Sequence, residues 1–202
     1  MAAVVTGKNR ERPRGAARRE ALLEAALVLV AEVGPDAVTH RRVAETAGLP
    51  LASTTYWFAS KDELLTAAVE LAAARDIARI GELIDGYRPG DDAIAVALRV
   101  LLEPTATEAP HSRGPLLAAY SLLLEAARRP TLRDVAGRWS AAYMDALATL
   151  LQAAGSRQAR ADAQLLSAAC DGLLLEQLAS GSSADLTSRL RRLARALLDA
   201  SP

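Results

Sequence analysis

A short segment concentrates side chains that could hold a polyanion. Three hydroxyl residues at positions 53–55 are followed directly by three aromatic residues at positions 56–58, and Lys61 comes soon after. Hydroxyls and aromatic groups with polar tips hydrogen-bond phosphate oxygens, and Ser or Thr can also touch base edges. The segment therefore has the chemistry of a nucleic-acid contact. The alternative is that the rings only pack a small domain, which we expect for Phe58 and in part for Trp57.

The sequence offers little for catalysis or metal binding. The two histidines are far apart at His40 and His111, Cys170 is the single cysteine, and no Gly-rich phosphate loop occurs. No nucleophile–base set or cluster of metal ligands emerges from these residues. We therefore expect no enzyme activity, no metal and no cofactor. Cys170 is expected to be a small buried hydrophobic residue.

The net charge of zero conceals a basic N-terminus. Residues 1–19 hold six basic side chains against Glu11 alone. Such an arm ahead of the first helix indicates attraction to a nucleic-acid backbone. The alternative is a solvated tail, and we expect residues 1–15 to be disordered in either case. The arm lacks the apolar face of a membrane-surface helix.

Composition predicts an all-α protein. Ala and Leu contribute 45 and 33 of the 202 residues, and no segment alternates apolar and polar side chains as a strand does. The N-terminal apolar run is too short for a secretory signal, and no stretch reaches the length of a membrane span. We therefore expect a cytoplasmic protein without membrane contact.

Turn and capping signals place the helices. The first runs from about Ala16 to Val33, the second from His40 to Ala47 behind the N-cap Thr39, and the third from Pro50 to Trp57. A capping box, Ser60 to Glu63, begins a helix that continues to about Asp85. Later breaks predict five more helices near 91–103, 115–129, 131–154, 158–179 and 184–199. The second and third helices have the dimensions of a helix-turn-helix.

Residues 38–65, VTHRRVAETAGLPLASTTYWFASKDELL, resemble the DNA-binding signature of TetR-family transcriptional regulators. With the arm and the first helix, the resemblance covers roughly residues 15–70. It implies a homodimer with a helix-turn-helix domain over 16–60 and a ligand-binding and dimerisation domain over 61–202. It further implies a repressor that a small molecule releases from operator DNA.

Carried over by position, the DNA contacts of the family fall on three groups of residues. These are Thr39, His40 and Arg41 in the second helix, Leu51, Ser53, Thr54, Thr55, Tyr56 and Trp57 around the third, and Lys61. Pro50, Ala52 and Thr55 depart from the family pattern, so the base preference is not readable. Thr39 could instead serve only as an N-cap, and His40 and Arg41 could be merely solvated.

The last two helices carry apolar stripes at 3-4 spacing that predict a four-helix dimer interface. The stripes are Leu165, Ala168, Gly172, Leu175 and Ala179, then Leu186, Leu190, Leu193 and Leu197. The alternative is that both stripes complete the core of one subunit.

Large side chains with polar tips stand out in the Ala- and Leu-rich C-terminal half and predict the wall of a pocket for a mostly apolar ligand. They are Tyr120, Glu125, Trp139, Tyr143 and Met144. The alternative is that they fill the core and direct their polar ends to solvent or backbone. As a whole, the chain could also be a helical ligand-binding or interaction module without DNA binding, which a gel-shift assay would distinguish.

Overall fold

A computed structural model of the protein describes residues 11–103, 113–181 and 185–200, and these residues form helices without strands. The all-α prediction is therefore confirmed for the described part of the chain. In chain order the helices are α1 (Glu11–Val33), α2 (His40–Thr46), α3 (Leu51–Trp57), α4 (Lys61–Gly86), α5 (Ala93–Leu102), α6 (Arg113–Arg128), α7 (Pro130–Ala153), α8 (Ala159–Ser180) and α9 (Leu186–Ala200), with a 3₁₀ turn at Pro35–Ala37.

Most helix boundaries agree with the prediction to within about two residues. The exception is α1, which begins at Glu11 rather than near Ala16. Pro13 is compatible with this earlier start, because the first N–H groups of a helix have no intrahelical partner and Pro lacks that group. Residues 11–15 of the predicted arm are therefore helical, and its other residues lie outside the described ranges.

Side-chain caps begin the helices that frame the helix-turn-helix. The Ser60 hydroxyl accepts a hydrogen bond from the Glu63 N–H at 3.1 Å, as the predicted capping box requires. The Glu63 carboxylate, however, accepts from the Ala59 N–H at 2.7 Å and not from Ser60. Gly48 has φ +63° in the turn between α2 and α3, a conformation that favours glycine. The turn fixes how α3 leaves α2, and the Ser60 cap fixes where α4 begins.

Two apolar cores share α4. The first core joins α1, α2 and the start of α4, and it also takes Leu122 and Ala126 of α6 and Leu132 and Val135 of α7. The second core is built by the end of α4 with α5, α7, α8 and α9. The N-terminal helices therefore do not fold against themselves alone but pack on the C-terminal half. None of the described helices is long and apolar enough to cross a membrane.

Candidate DNA-binding surface and ligand cavity

Thr54 holds α3 against α2. The side chain is fully buried, and its hydroxyl donates to the Leu51 carbonyl at 2.9 Å and lies 3.3 Å from the His40 carbonyl in α2. A buried hydroxyl with these partners cannot reach a nucleic acid. The prediction that Thr54 contacts DNA is therefore corrected: it positions the helix on which the other contacts are predicted.

The opposite face of α3 is open to solvent. Tyr56 is 79% exposed, Leu51 and Thr55 are exposed, and Ser53 is half-buried. Trp57 is half-buried, and a Cβ on Gly15 would lie 3.5 Å from its indole, so this ring approaches α1 closely. The Tyr56 and Trp57 rings meet edge to face with centroids 5.1 Å apart. The expectation that Trp57 in part packs the small domain is confirmed.

The predicted contacts in α2 fall on its N-cap and first turn. The Thr39 hydroxyl accepts from the Arg42 N–H at 3.2 Å, which confirms its role as an N-cap. His40 is half-buried. Arg41 is exposed and pairs with Glu45 at 2.9 Å, and the pKa of its guanidinium is raised by that partner. Glu45 therefore partly neutralises the charge of Arg41 within α2.

Lys61, the last of the predicted DNA contacts along the chain, is the first residue of α4. Its ammonium donates to the Asp36 carbonyl in the 3₁₀ turn at 2.7 Å. An ammonium carries three N–H donors, so the group is held in place and keeps donors for a second acceptor. Lys61 therefore places a held positive charge at the start of α4, four residues after the end of α3.

A cavity of about 220 Å³ lies in the C-terminal half. Its wall is mostly apolar and comes from α6, α7 and α8, with Val69 of α4 and Leu101 of α5. Four of the five side chains predicted to bind a ligand line it: Tyr120, Trp139, Tyr143 and Met144.

Glu125 lies elsewhere, which corrects the fifth assignment. It is buried and accepts a hydrogen bond from the Arg129 guanidinium at 2.7 Å, and Arg129 also pairs with Asp62 in the first turn of α4. The acidic side chain is directed by this ion pair toward the N-terminal half, and it does not contribute to the described cavity wall.

Asp76 of α4 holds the polar tips of two cavity residues. The carboxylate is 2% exposed and accepts from the Trp139 indole N–H at 2.7 Å and from the Tyr143 hydroxyl at 2.6 Å. The other oxygen accepts from the Arg79 guanidinium at 2.9 Å. Burial, and then the negative charge of Asp76, raise the pKa of Tyr143. The rings therefore line the cavity while their donors are used inside the protein.

Sequence reasoning missed Asp76, although a signal was present. An aspartate in the otherwise apolar row Ala73, Asp76, Ile80 of a long helix must have partners, because burying a carboxylate without them is costly. Arg79, one turn later, is one such partner.

A second carboxylate lies at the rim of the cavity. The Tyr120 hydroxyl donates to Asp171 of α8 at 3.1 Å. Burial among apolar groups raises the pKa of the Asp171 carboxyl. The pKa of the Tyr120 hydroxyl is also raised, mainly by burial and secondly by the negative charge of Asp171. Burial also raises the pKa of the Cys170 thiol to about 12, which keeps it protonated. The prediction of a buried cysteine is confirmed.

The two apolar stripes near the C-terminus differ in burial. On α8 all five predicted residues are exposed, with Leu165 at 56% and Leu175 at 48%. On α9, Leu186 and Leu190 are buried, and Leu193 and Leu197 pack against the second core. Leu186 and Leu190 thus complete the core of one subunit, which corrects their assignment to a dimer interface, whereas the interface role of the half-buried Leu193 and Leu197 stays a prediction.

An exposed helix-turn-helix joined to a helical unit with an apolar cavity defines a class of ligand-responsive regulators that bind DNA. Residues 22–68 match the model for bacterial regulatory proteins of the tetR family. Residues 89–200 match the tetracyclin repressor-like C-terminal domain. The chain belongs to the TetR family, and it is a ligand-responsive, DNA-binding transcriptional regulator.

Individual relatives cover most of the chain. A TetR-family member from Streptomyces coelicolor, of known structure, is 34% identical, with 89% of this chain and 97% of that chain aligned and a TM-score of 0.66. The multidrug binding protein EbrR, complexed with proflavin, is 31% identical over 89% of this chain and 99% of its own, with a TM-score of 0.59. The HTH-type nicotine-responsive transcriptional repressor HdnoR of Paenarthrobacter nicotinovorans is 28% identical over 170 residues, which are 82% of this chain and 86% of that protein.

Proposed function

We propose that the protein is a homodimeric repressor that acts in the cytoplasm and leaves its operator when a small, mostly apolar molecule enters the cavity. The observation that carries this proposal is the connection between the two sites by α4. This helix begins at Lys61, four residues after α3 ends, and contains Asp76, whose carboxylate holds two residues of the cavity wall. A nicotine-responsive repressor and a multidrug binding protein among the relatives support a small organic effector.

The proposed DNA surface consists of the exposed and half-buried residues at one end of the helix-turn-helix. Tyr56 and Lys61 contact phosphates, while Ser53 and Thr55 face base edges. Leu51, Trp57, Thr39, His40 and Arg41 complete the surface. Phosphate contacts set affinity for any duplex, whereas base contacts distinguish sequences. Thr54 is left out because it is buried.

Substitutions in this surface should divide into two classes. Lys61→Ala and Tyr56→Phe should weaken binding to every duplex, and each lost phosphate contact should reduce the salt slope of log K by about 0.9. Ser53→Ala and Thr55→Ala should change the preferred sequence and leave the slope nearly unchanged. Fluorescence anisotropy over a KCl series, on an operator obtained by binding-site selection, measures both quantities.

Arg88→Ala is a matched control, because Arg88 is exposed just beyond the C-terminus of α4. It should change neither the slope nor the preference. A wild-type protein without preference for any duplex at low salt would refute the proposed DNA binding.

The proposed signal path uses contacts between the cavity wall and the N-terminal helices. Arg129, at the junction of α6 and α7, pairs with Asp62 in the first turn of α4. A second contact joins α6 to α1. A Cβ added to Gly114 of α6 would lie 3.9 Å from the Cβ of Ala31 in α1. A ligand that shifts α6 or α7 would therefore move the helices that carry α3, and the two α3 helices of a dimer would no longer fit successive major grooves.

Linkage requires that an inducing ligand bind more weakly when operator is present. Nicotine and proflavin are the first probes, because relatives respond to or bind them. We expect calorimetric affinity for an inducer to fall by about fivefold or more on operator-bound protein, and Trp139→Ala to weaken binding to the free protein.

Arg138→Ala, an exposed neighbour on α7, is the control for the Trp139 variant. Equal affinities with and without operator would remove the allosteric claim. Unchanged affinity in the Trp139 variant would remove the proposed site.

A further inference from the structure

The one charged group in the described cavity wall is acidic. Among the described residues that line it, Asp171 carries a carboxylate, and none carries a basic side chain. The remaining polar groups of the wall are the hydroxyls of two tyrosines and of Ser140 and Ser167, the indole N–H and the Cys170 thiol. An anionic ligand would therefore enter without a described cation to neutralise it.

The strongest donors of the wall are already committed to carboxylates. The Tyr120 hydroxyl donates to Asp171 at 3.1 Å, and the indole of Trp139 and the hydroxyl of Tyr143 donate to Asp76. An anion would have to displace one of these bonds or be held by the neutral hydroxyls of Ser140 and Ser167 alone. The aromatic rings themselves remain available to a ligand, and aromatic faces attract cations.

The two carboxylates differ in how they are balanced. Asp76 is paired with the Arg79 guanidinium, whose Nη2 lies 2.8 Å from Oδ1. For Asp171, the described chain supplies the neutral hydroxyl of Tyr120 as a donor and no ion pair. Asp171 lies at the exposed rim, so a cation seated in the cavity could reach it.

We infer that this cavity selects a lipophilic organic cation, with the aromatic part against Tyr120, Trp139 and Tyr143 and the charged nitrogen beside the Asp171 carboxylate. The inference rests on the proposed ligand site and names the chemical class of the effector. The cation would stabilise the ionised form of Asp171, whose pKa the apolar surroundings raise.

Three probes that share one aromatic body separate charge from shape. They are naphthylmethylammonium, the neutral naphthylmethanol and the anionic naphthoate. We expect isothermal titration calorimetry on the full chain to show the ammonium binding about fivefold to tenfold more tightly than the alcohol, and the carboxylate binding most weakly. Asp171→Asn should abolish the preference for the ammonium, because it removes the charge and keeps the shape.

The alcohol also serves as the folding control, since Asp171→Asn should bind it with wild-type affinity. Glu176→Gln removes an exposed carboxylate of the same helix that is not part of the described cavity wall, and it should retain the preference. If the alcohol binds as tightly as the ammonium, or if Asp171→Asn keeps the preference, the inference fails while the cavity remains a ligand site. If no probe binds at millimolar concentration, both the inference and the proposed ligand site fail.

Discussion

Asp76→Ala is expected to lower the free energy of unfolding by about 3–5 kcal/mol, the loss that follows when one partner of a buried ion pair is removed. The carboxylate is 2% exposed and accepts hydrogen bonds from Trp139, Tyr143 and Arg79. Its removal leaves three donors without their acceptor, and the Arg79 side chain is only 17% exposed. The cost therefore combines two unsatisfied neutral donors with a guanidinium that loses its carboxylate and keeps bonds to the Arg99 and Val100 carbonyls.

Urea denaturation followed by circular dichroism measures this loss, provided that the slope of the transition is unchanged. Asp85→Ala is the matched control, because Asp85 is an exposed aspartate on the same helix, and it should change stability by no more than about 0.5 kcal/mol. A loss below about 1 kcal/mol for Asp76→Ala would show that the network contributes little to stability.

Asp76→Ala should also reduce affinity for any molecule bound in the cavity. The carboxylate fixes the indole of Trp139 and the ring of Tyr143 by their polar tips. Without it both rings regain rotational freedom, and a ligand must order them on binding. The loss of affinity should therefore accompany the loss of stability, although Asp76 is not part of the described cavity wall.

Helix positions were predictable from the sequence because local signals determine them. Thr39, Ser60 and Asp92 each cap the helix that follows, and Gly48 takes the left-handed conformation that a short turn requires. Such signals act over three or four residues and need no tertiary contact. The start of α1 at Glu11 was missed because apolar periodicity begins only further along the chain.

The sequence does not reveal which element packs against the apolar face of a given helix. The stripes on α8 and α9 have the same spacing, yet Leu190 is buried and Leu165 is 56% exposed. Periodicity reveals that a helix has an apolar face, while the identity of the covering element depends on tertiary packing. The position of Glu125 was not predictable for the same reason. Its partner Arg129 also pairs with Asp62, which is distant in the sequence.

Thr54 shows where closer attention to helical geometry would have helped. Its position lies four residues before the buried Phe58, which directly follows α3, and three residues after Leu51, whereas Tyr56 lies on the exposed side of the helix. From residue type alone, Ser53, Thr54 and Thr55 were all predicted to contact DNA. The helical period separates the one that packs inward from those that face solvent.

Leu165→Glu combined with Leu175→Glu is expected to convert a dimer into a monomer and to weaken operator binding by about 100-fold or more, because two linked half-site contacts become independent. Both leucines are exposed on the α8 face that contains the small residues Ala168 and Gly172, which permit close helix approach. In a twofold interface each substitution occurs twice, so four carboxylates would be brought together and would repel one another.

Sedimentation velocity at micromolar concentration and anisotropy on the selected operator measure the two effects on the same samples. Leu124→Glu provides the matched control, because Leu124 is 65% exposed on α6 and lies outside the α8 face. It adds one carboxylate at a leucine more exposed than either Leu165 or Leu175, and it should leave both dimer and operator affinity intact. A monomeric wild type would contradict dimerisation itself. A double variant that stays dimeric would instead move the interface away from α8, and the spacing of the two α3 helices on DNA would then have to be set by another surface.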